Sequence, residues 1–396
     1  MVEVIDFFSG CGGMSHGFAM AQSRNVEFRI RAAVDMDRHA NATYERAFGI
    51  TPLHADIRKV AQPAVLNRLK QQWKLNGQSP LVLIGCAPCQ GFSSHRKKDP
   101  RSDARNSLLA PFARIVTQLM PDLVIMENVP EMLREEHWPH FARWRKLVEA
   151  AGYSVRVQIH NLAQFGVPQE RYRALVIASR DWKHFRMPPP VLSPSSFATV
   201  REAIGHLPPL AAGEVNISDP MHKTSRHREE TVNLLRQIPP DGGSRSALPR
   251  SVAPECLTHV DGFRDVYGRL AWDIPAVAIT ARCRTPSCGR FAHPVQHRGL
   301  SIREAALLQG FPSDFQFEGP FDDCFKQIGN AVSPIFAKSI AEHLDAEWNR
   351  DHSRPLEVTD YREDIVGPFS KSFSSSIAGR KRRLRIDEDN GIRVSA

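Results

Sequence analysis

At 396 residues, 42% of them hydrophobic, the chain is long enough for two globular domains and too apolar for a disordered protein. Lysines and arginines number 52 against 43 aspartates and glutamates, a net charge of +9 that favours a polyanionic partner, although a ribosomal or membrane surface fits the charge equally well. No apolar stretch approaches the ~18 residues of a membrane span, and seven scattered cysteines do not make a disulfide framework, so a cytoplasmic protein is expected.

Up to about residue 186, short apolar or β-branched runs alternate with segments of helical period, the pattern of βαβ units and a parallel sheet. Strands are expected at residues 3–7, 30–34, 81–84, 123–126, 155–159 and 174–178, with helices over 40–48, 63–73, 108–120 and 141–150. The first strand runs into Phe7-Phe8-Ser9-Gly10-Cys11-Gly12-Gly13-Met14, whose glycines let the backbone turn sharply and approach a ligand closely. Asp35 closes the second strand, where an acid accepts hydrogen bonds from ribose hydroxyls, so a nucleoside cofactor is expected; a nicotinamide dinucleotide fits these features too. Asp56 reads either as an acceptor for an adenine amino group or as a helix cap.

Two strands then deliver chemistry to one sheet edge. The run over residues 81–85 leads to Pro88-Cys89-Gln90, and the run over 123–126 ends in Glu127-Asn128-Val129, which sets a thiol beside a carboxylate. Cys86-Ala87-Pro88-Cys89 is formally a C-x-x-C pair, a redox dithiol or half a zinc site, but Cys283 and Cys288 are spaced irregularly for the other half and no metal is expected. The basic loop over residues 91–101 suits a lid over a phosphate backbone. Prolines over residues 187–196 mark a boundary, and the stretch beyond, to about residue 294, is rich in Arg, His, Pro and Gly, as in a loop-rich module. Residues 302–308 and 331–348 are helical again, the second as a long amphipathic helix able to pack back on the first domain. From about residue 351 a polar stretch leads to Arg380-Lys381-Arg382-Arg383-Leu384-Arg385, an expected disordered tail that reads as electrostatic or as a localisation signal.

Six motifs in order carry a resemblance. They are residues 6–13, Pro88-Cys89-Gln90-Gly91-Phe92-Ser93, Glu127-Asn128-Val129, Gln169-Glu170-Arg171-Tyr172-Arg173, residues 303–312 (Arg303 to Pro312), and Gln327-Ile328-Gly329-Asn330-Ala331-Val332. Over roughly residues 4–344, apart from the module after the prolines, the chain resembles the DNA (cytosine-5) methyltransferases. It departs from them in reading Gly85-Cys86-Ala87-Pro88 where a proline pair commonly precedes the nucleophile.

The resemblance implies S-adenosylmethionine as cofactor, held by Phe8, Gly10, Gly12, Gly13, Asp35, Met36, Asp56, Pro88 and Asn330. Phe8 and Met36 would lie on the adenine, Asp35 on the ribose, Asp56 near the adenine amino group, and Asn330 would return from the late helix to close the site. The implied catalytic set is Cys89, Glu127, Arg173, Asn128 and Arg171. Carbon 5 of cytosine is a poor nucleophile, so the Cys89 thiolate must first add to carbon 6. Glu127 would act at ring nitrogen 3 and Arg173 at the 2-oxo group.

The reacting face of a stacked base is covered, so the cytosine must be turned out of the duplex while a second module grips the DNA. Gln90, Ser93, Arg96, Lys97, Arg105, Arg282 and Arg284 are the expected DNA contacts. Arg201, Lys223, Arg226, Arg228, Arg245, Arg250, Arg264, Arg269 and Arg290 add contacts, most to phosphate and a few to guanine edges in the major groove, and the histidines of this module are expected at its surface or as phosphate partners rather than as metal ligands. The expected fold is α/β, a doubly wound Rossmann-like methyltransferase sheet with a smaller loop-rich target-recognition domain. Residues 1–190 and 327–350 would form the cofactor-binding catalytic domain, 191–326 the recognition domain and 351–396 the basic tail. The expected protein is a nucleoid-associated cytoplasmic monomer acting on double-stranded DNA beside a cognate restriction or phage-defence protein. Transfer-RNA cytosine methylation and a catalytically silent DNA-binding protein are the alternatives.

Overall fold

In the computed structural model, which describes residues 1–87, 108–248, 265–356 and 364–369, the continuous apolar runs become the buried centre of a sheet. Apart from short 3-10 turns, the elements are β1 (Val2–Phe7), α1 (Gly13–Met20), β2 (Phe28–Asp35), α2 (Arg38–Phe48), β3 (Leu53–His54), α3 (Ile57–Val60), α4 (Pro63–Gln72) and β4 (Leu81–Gly85). There follow α5 (Leu109–Leu119), β5 (Leu123–Asn128), α6 (Trp138–Ala150), β6 (Ser154–Asn161), β7 (Gln169–Glu170) and β8 (Tyr172–Ser179). The second half contributes α7 (Val200–Ile204), α8 (Glu229–Gln237), β9 (Ala276–Val277), α9 (Ile302–Gln309), α10 (Phe321–Asn330) and α11 (Pro334–Trp348). No helix among the described residues is long and apolar enough to cross a membrane.

Seven strands form one sheet in the order β3-β2-β1-β4-β5-β8-β6. Strand β1 pairs in parallel with β2 on one side and β4 on the other, so strand order reverses at β1, the crevice where ligands gather in open α/β sheets. The parallel sheet expected from periodicity holds from β3 to β5 and gives way at the far edge, where β8 runs antiparallel to both β5 and β6. The link explains it. Between β6 and β8 lie only a 3-10 turn, Leu162–Phe165, and the two-residue β7, too little chain for the crossover a parallel neighbour requires.

Both faces of the sheet are covered. On one, Ile5, Phe7, Leu83 and Val124 pack under Leu66, Phe112, Ile115, Phe141 and Trp144 from α4, α5 and α6. On the other, Val4, Ile84, Ile125 and Ile177 pack against Phe18, Phe336, Ile340 and Leu344, so α11 does fold back on the sheet. Each such side chain, fully buried, contributes roughly 1.5–3 kcal/mol. A further core joins Val200, Ile204, Leu270 and Ile279 to Ile302, Leu308, Phe325 and Ile328, which packs α9 and α10 with the module after the prolines.

Within the stretch from residue 351 that was expected to be a disordered tail, the described residues 364–369 pack on the sheet. Ile365 and Phe369 pack against the first core, the Ile365 N–H donates to the Val157 carbonyl at 2.8 Å, and Asp364 pairs with buried Arg156 at 2.7 Å. These few apolar residues in a polar stretch cover edge strand β6, whose open side would otherwise invite pairing with another chain. The Arg380 to Arg385 cluster lies outside the described residues.

Candidate active site

The carboxyl ends of β1, β2, β4 and β5 open on a cavity of about 420 Å³, within the range of small-ligand sites. The chain leaves β1 at Phe8, a non-glycine residue in the left-handed region (φ 57°), a strained turn that carries the backbone out of the sheet. Gly10 follows at φ 52°, and its N–H donates to Asp35 Oδ2 at 2.9 Å. The Asp37 N–H donates to Asp35 Oδ1 at 2.8 Å. Asp35 therefore ties the glycine turn to the end of β2, and burial raises its carboxyl above the usual range despite these bonds.

Phe8, Gly10, Gly13, Asp35, Met36 and Asn330 all line the cavity. A β-carbon on Gly13 would lie 2.2 Å from the Val332 carbonyl oxygen, because the late chain crosses directly over the start of α1. Gly12 does not line the cavity. Its constraint is steric, since it sits at φ 85° and a β-carbon there would lie 2.4 Å from the Phe48 ring. Asp56, too, stands away from the cavity wall: its side chain caps α3, and its Oδ2 accepts from Arg58 Nε at 2.9 Å and Nη2 at 2.6 Å. Those bonds hold its carboxyl below the ordinary range, and of its two sequence readings the geometry carries the cap.

Strand register assembles the polar wall. Gly85 pairs with Met126, so one step further Cys86 neighbours Glu127; across the antiparallel ladder Glu127 faces Leu175, which brings Arg173, two residues earlier, onto the same face. Arg173 Nε lies 2.7 Å from Glu127 Oε1, and the Cys86 thiol donates to Glu127 Oε2 at 3.0 Å. Glu127 is 2% exposed, and a charge so buried needs such partners. Cys86, Glu127, Arg171 and Arg173 line the same cavity as Asp35 and Gly10.

Asn128 faces elsewhere, its amide donating to the Ala87 carbonyl at 3.1 Å and its oxygen accepting from the Val129 N–H at 2.8 Å, which fixes the exit of β4. Arg171 donates to the carbonyls of Ile279 at 2.5 Å and Gly329 at 3.0 Å, clamping the late chain to the sheet. Pro88, Cys89, Gln90, Ser93, Arg96, Lys97 and Arg105 lie outside the described residues.

Sequence reasoning assigned no role to Asp6 and did not bring Cys86 to Glu127. Asp6 is an acid set between Ile5 and Phe7 in a buried strand, which was its signal. It lines the cavity and accepts from Ser15 Oγ at 2.6 Å, and Ser15 Oγ lies 2.7 Å from the Tyr44 hydroxyl. Burial, opposed by the Ser15 bond and aided by Asp35, pushes the Asp6 carboxyl up to about 8.

Among the expected DNA contacts, Lys223, Arg226, Arg228 and Arg282 are exposed, while Arg284 pairs with Asp322 at 2.8 Å and Arg201 with Asp273 at 2.6 Å. Arg269 is corrected. It is buried and donates to the carbonyls of Leu235, Ile238, His293 and Gln296, so it braces the module from within. His222 and His293 are likewise buried rather than at the surface, His222 bridging Ser301 Oγ and the Pro208 carbonyl. Arg250 and Arg264 lie outside the described residues. Among the described residues no group of three or more His, Cys, Asp or Glu side chains is placed to hold a metal ion.

A profile of C-5 cytosine-specific DNA methylases matches residues 2–346. The chain is 35% identical over 362 residues to the type II methylase M.HgiDII of Herpetosiphon aurantiacus, covering 89% of this chain and 98% of that protein. It is 34% identical over 341 residues to the type II methyltransferase M1.HphI of Haemophilus parahaemolyticus, covering 85% of each. A crystal structure described as a DNA modification methyltransferase from an Escherichia coli prophage superposes with a TM-score of 0.63 at 26% identity, over 88% of this chain and 100% of that one. The S. pombe Dnmt2 methyltransferase, at 17% identity and a TM-score of 0.58, shares the fold over 88% of this chain and 100% of its own.

Proposed function

The chain belongs to the C-5 cytosine-specific DNA methylases and is a DNA (cytosine-5) methyltransferase; we propose that it uses S-adenosylmethionine and a transient Cys89 adduct to methylate a cytosine turned out of a specific duplex sequence. The observation that carries this reading is the shared cavity: Phe8, Gly10, Asp35 and Met36 bound one part of it, and Glu127 and Arg173 the other.

The lining suits the cofactor. Gly10 leaves the backbone open to close approach, Asp35 presents a carboxylate to a ribose, Phe8 and Met36 flank an adenine, and Asn330 closes the far side. When bound, S-adenosylmethionine supplies an electrophilic methyl group to carbon 5.

The rest of the chemistry falls to the chain. The Cys89 thiolate adds to carbon 6 of cytosine and pushes electron density toward carbon 5. Glu127 bonds or protonates ring nitrogen 3, which neutralises the charge that addition creates, and Arg173, already held against Glu127, donates to the 2-oxo group. Water takes the carbon-5 proton, and elimination of the Cys89 thiolate restores the aromatic ring. Turning the base out costs roughly a few kcal/mol, offset by the pocket and by phosphate contacts from Lys223, Arg226, Arg228 and Arg282.

The type II relatives support a modification role, protecting the target sequence from a cognate restriction enzyme. The test offers duplex DNA and transfer RNA in parallel with methyl-labelled cofactor and identifies the labelled nucleoside. The expected product is 5-methylcytosine in duplex DNA. Label confined to transfer RNA would overturn the DNA reading, and duplex binding with no transfer to either would favour a catalytically silent protein.

A further inference from the structure

Glu127 is gripped from two sides, and the mechanism above accounts for one of them. Arg173 holds Oε1 at 2.7 Å, while Cys86, three residues before the nucleophile, donates its thiol proton to Oε2 at 3.0 Å. Neither sequence spacing nor the C-x-x-C reading of Cys86 pointed to that contact; it follows from the β4–β5 register, which sets the residue after Gly85 beside the residue after Met126.

We propose that Cys86 is a positioning residue for methyl transfer, its thiol fixing the second oxygen of Glu127 so that the carboxyl meets the cytosine ring in one orientation. The proposal rests on the reading of Glu127 as the group at nitrogen 3. The terminal torsion of a glutamate is soft, with broad minima, so a grip on one oxygen leaves the other free to swing. A donor on each oxygen removes that freedom. At 2% exposure Glu127 has little water to take the place of a lost donor. The backbone that carries Cys86 is itself held, since Asn128 bonds the carbonyl of the next residue, Ala87. A thiol is a weak donor, so its share in the transition state is a modest factor rather than an all-or-none requirement.

The test compares single-turnover rates and both KM values for Cys86→Ala and Cys86→Ser, each alone and combined with Glu127→Gln, with cofactor binding as the check on folding. Cys86→Ala is expected to slow methyl transfer roughly three- to tenfold, the scale of one ordinary hydrogen bond, with both KM values held within about twofold. Cys86→Ser restores a hydroxyl donor and is expected to recover at least half of the rate. In the Glu127→Gln background Cys86→Ala is expected to cost nothing further. An unchanged rate in Cys86→Ala, equal losses in the alanine and serine variants, or full additivity with Glu127→Gln overturns the proposal. Normal turnover by Glu127→Gln alone overturns instead the role of Glu127, and the two failures are read on different variants.

Discussion

Asparagine at position 35 separates cofactor recognition from simple bracing of the turn. The wild-type carboxylate accepts the Gly10 N–H on one oxygen at 2.9 Å and the Asp37 N–H on the other at 2.8 Å. An amide offers a single acceptor oxygen, so one of those backbone donors meets an NH2 group and loses its bond. The variant also loses the charged acceptor proposed for the ribose. A hydrogen bond to a charged group contributes about 1.5–3 kcal/mol, so removing that one contact weakens S-adenosylmethionine binding roughly 10- to 150-fold. The backbone bond lost in both free and bound enzyme appears in stability instead. Calorimetric titration with the cofactor, alongside thermal unfolding, separates the two effects. Lowered thermal stability with cofactor affinity within about twofold of wild type would refute the reasoning and leave Asp35 as a tie for the glycine turn alone.

Three further outcomes are expected. Gly17→Ala places a methyl group 2.4 Å from the Ala337 β-carbon and 2.5 Å from the Pro334 carbonyl oxygen, so it should destabilise the α1–α11 contact by about 1–3 kcal/mol in denaturant unfolding; an unchanged midpoint would mean the helices separate easily. Asp364→Ala withdraws a carboxylate from buried Arg156 and loosens the cover on β6, so it should destabilise by about 1–3 kcal/mol and raise self-association; neutral behaviour in unfolding and light scattering would show the contact to be incidental. The folded chain keeps a proton on Asp6, at about 8 against 3.8 for a free aspartate, so this contribution to stability is full below pH 3.8 and is lost as the pH rises through about 8. Asp6→Asn should therefore flatten the decline of urea stability between about pH 4 and 8, and an unaltered slope would contradict the burial argument.

What could be read from the sequence divides along physical lines. Buried central strands announce themselves, so residues 3–7, 81–84 and 123–126 fell within β1, β4 and β5. Period carries no direction, which is why the antiparallel β8 was not foreseen; the shortness of the link after β6 was the clue. The glycine turn and Asp35 were legible because φ beyond zero calls for glycine and an acid closing a buried strand is a local mark. Contacts between distant segments leave none. Arg269 looks like any surface arginine until four carbonyls surround it. Cys86 meets Glu127 across 41 residues, and Asp364 meets Arg156 across 208.

The most direct measurement is capture of the covalent intermediate. Duplex DNA carrying 5-fluorocytosine at the target cannot lose a proton from carbon 5, so with S-adenosylmethionine the enzyme should remain bonded to the DNA through denaturing electrophoresis, with mass spectrometry placing the bond on Cys89. Cys89→Ser should bind cofactor and DNA yet form no adduct. Methylation of ordinary duplex without any trapped species, or an adduct on another residue, would contradict the account.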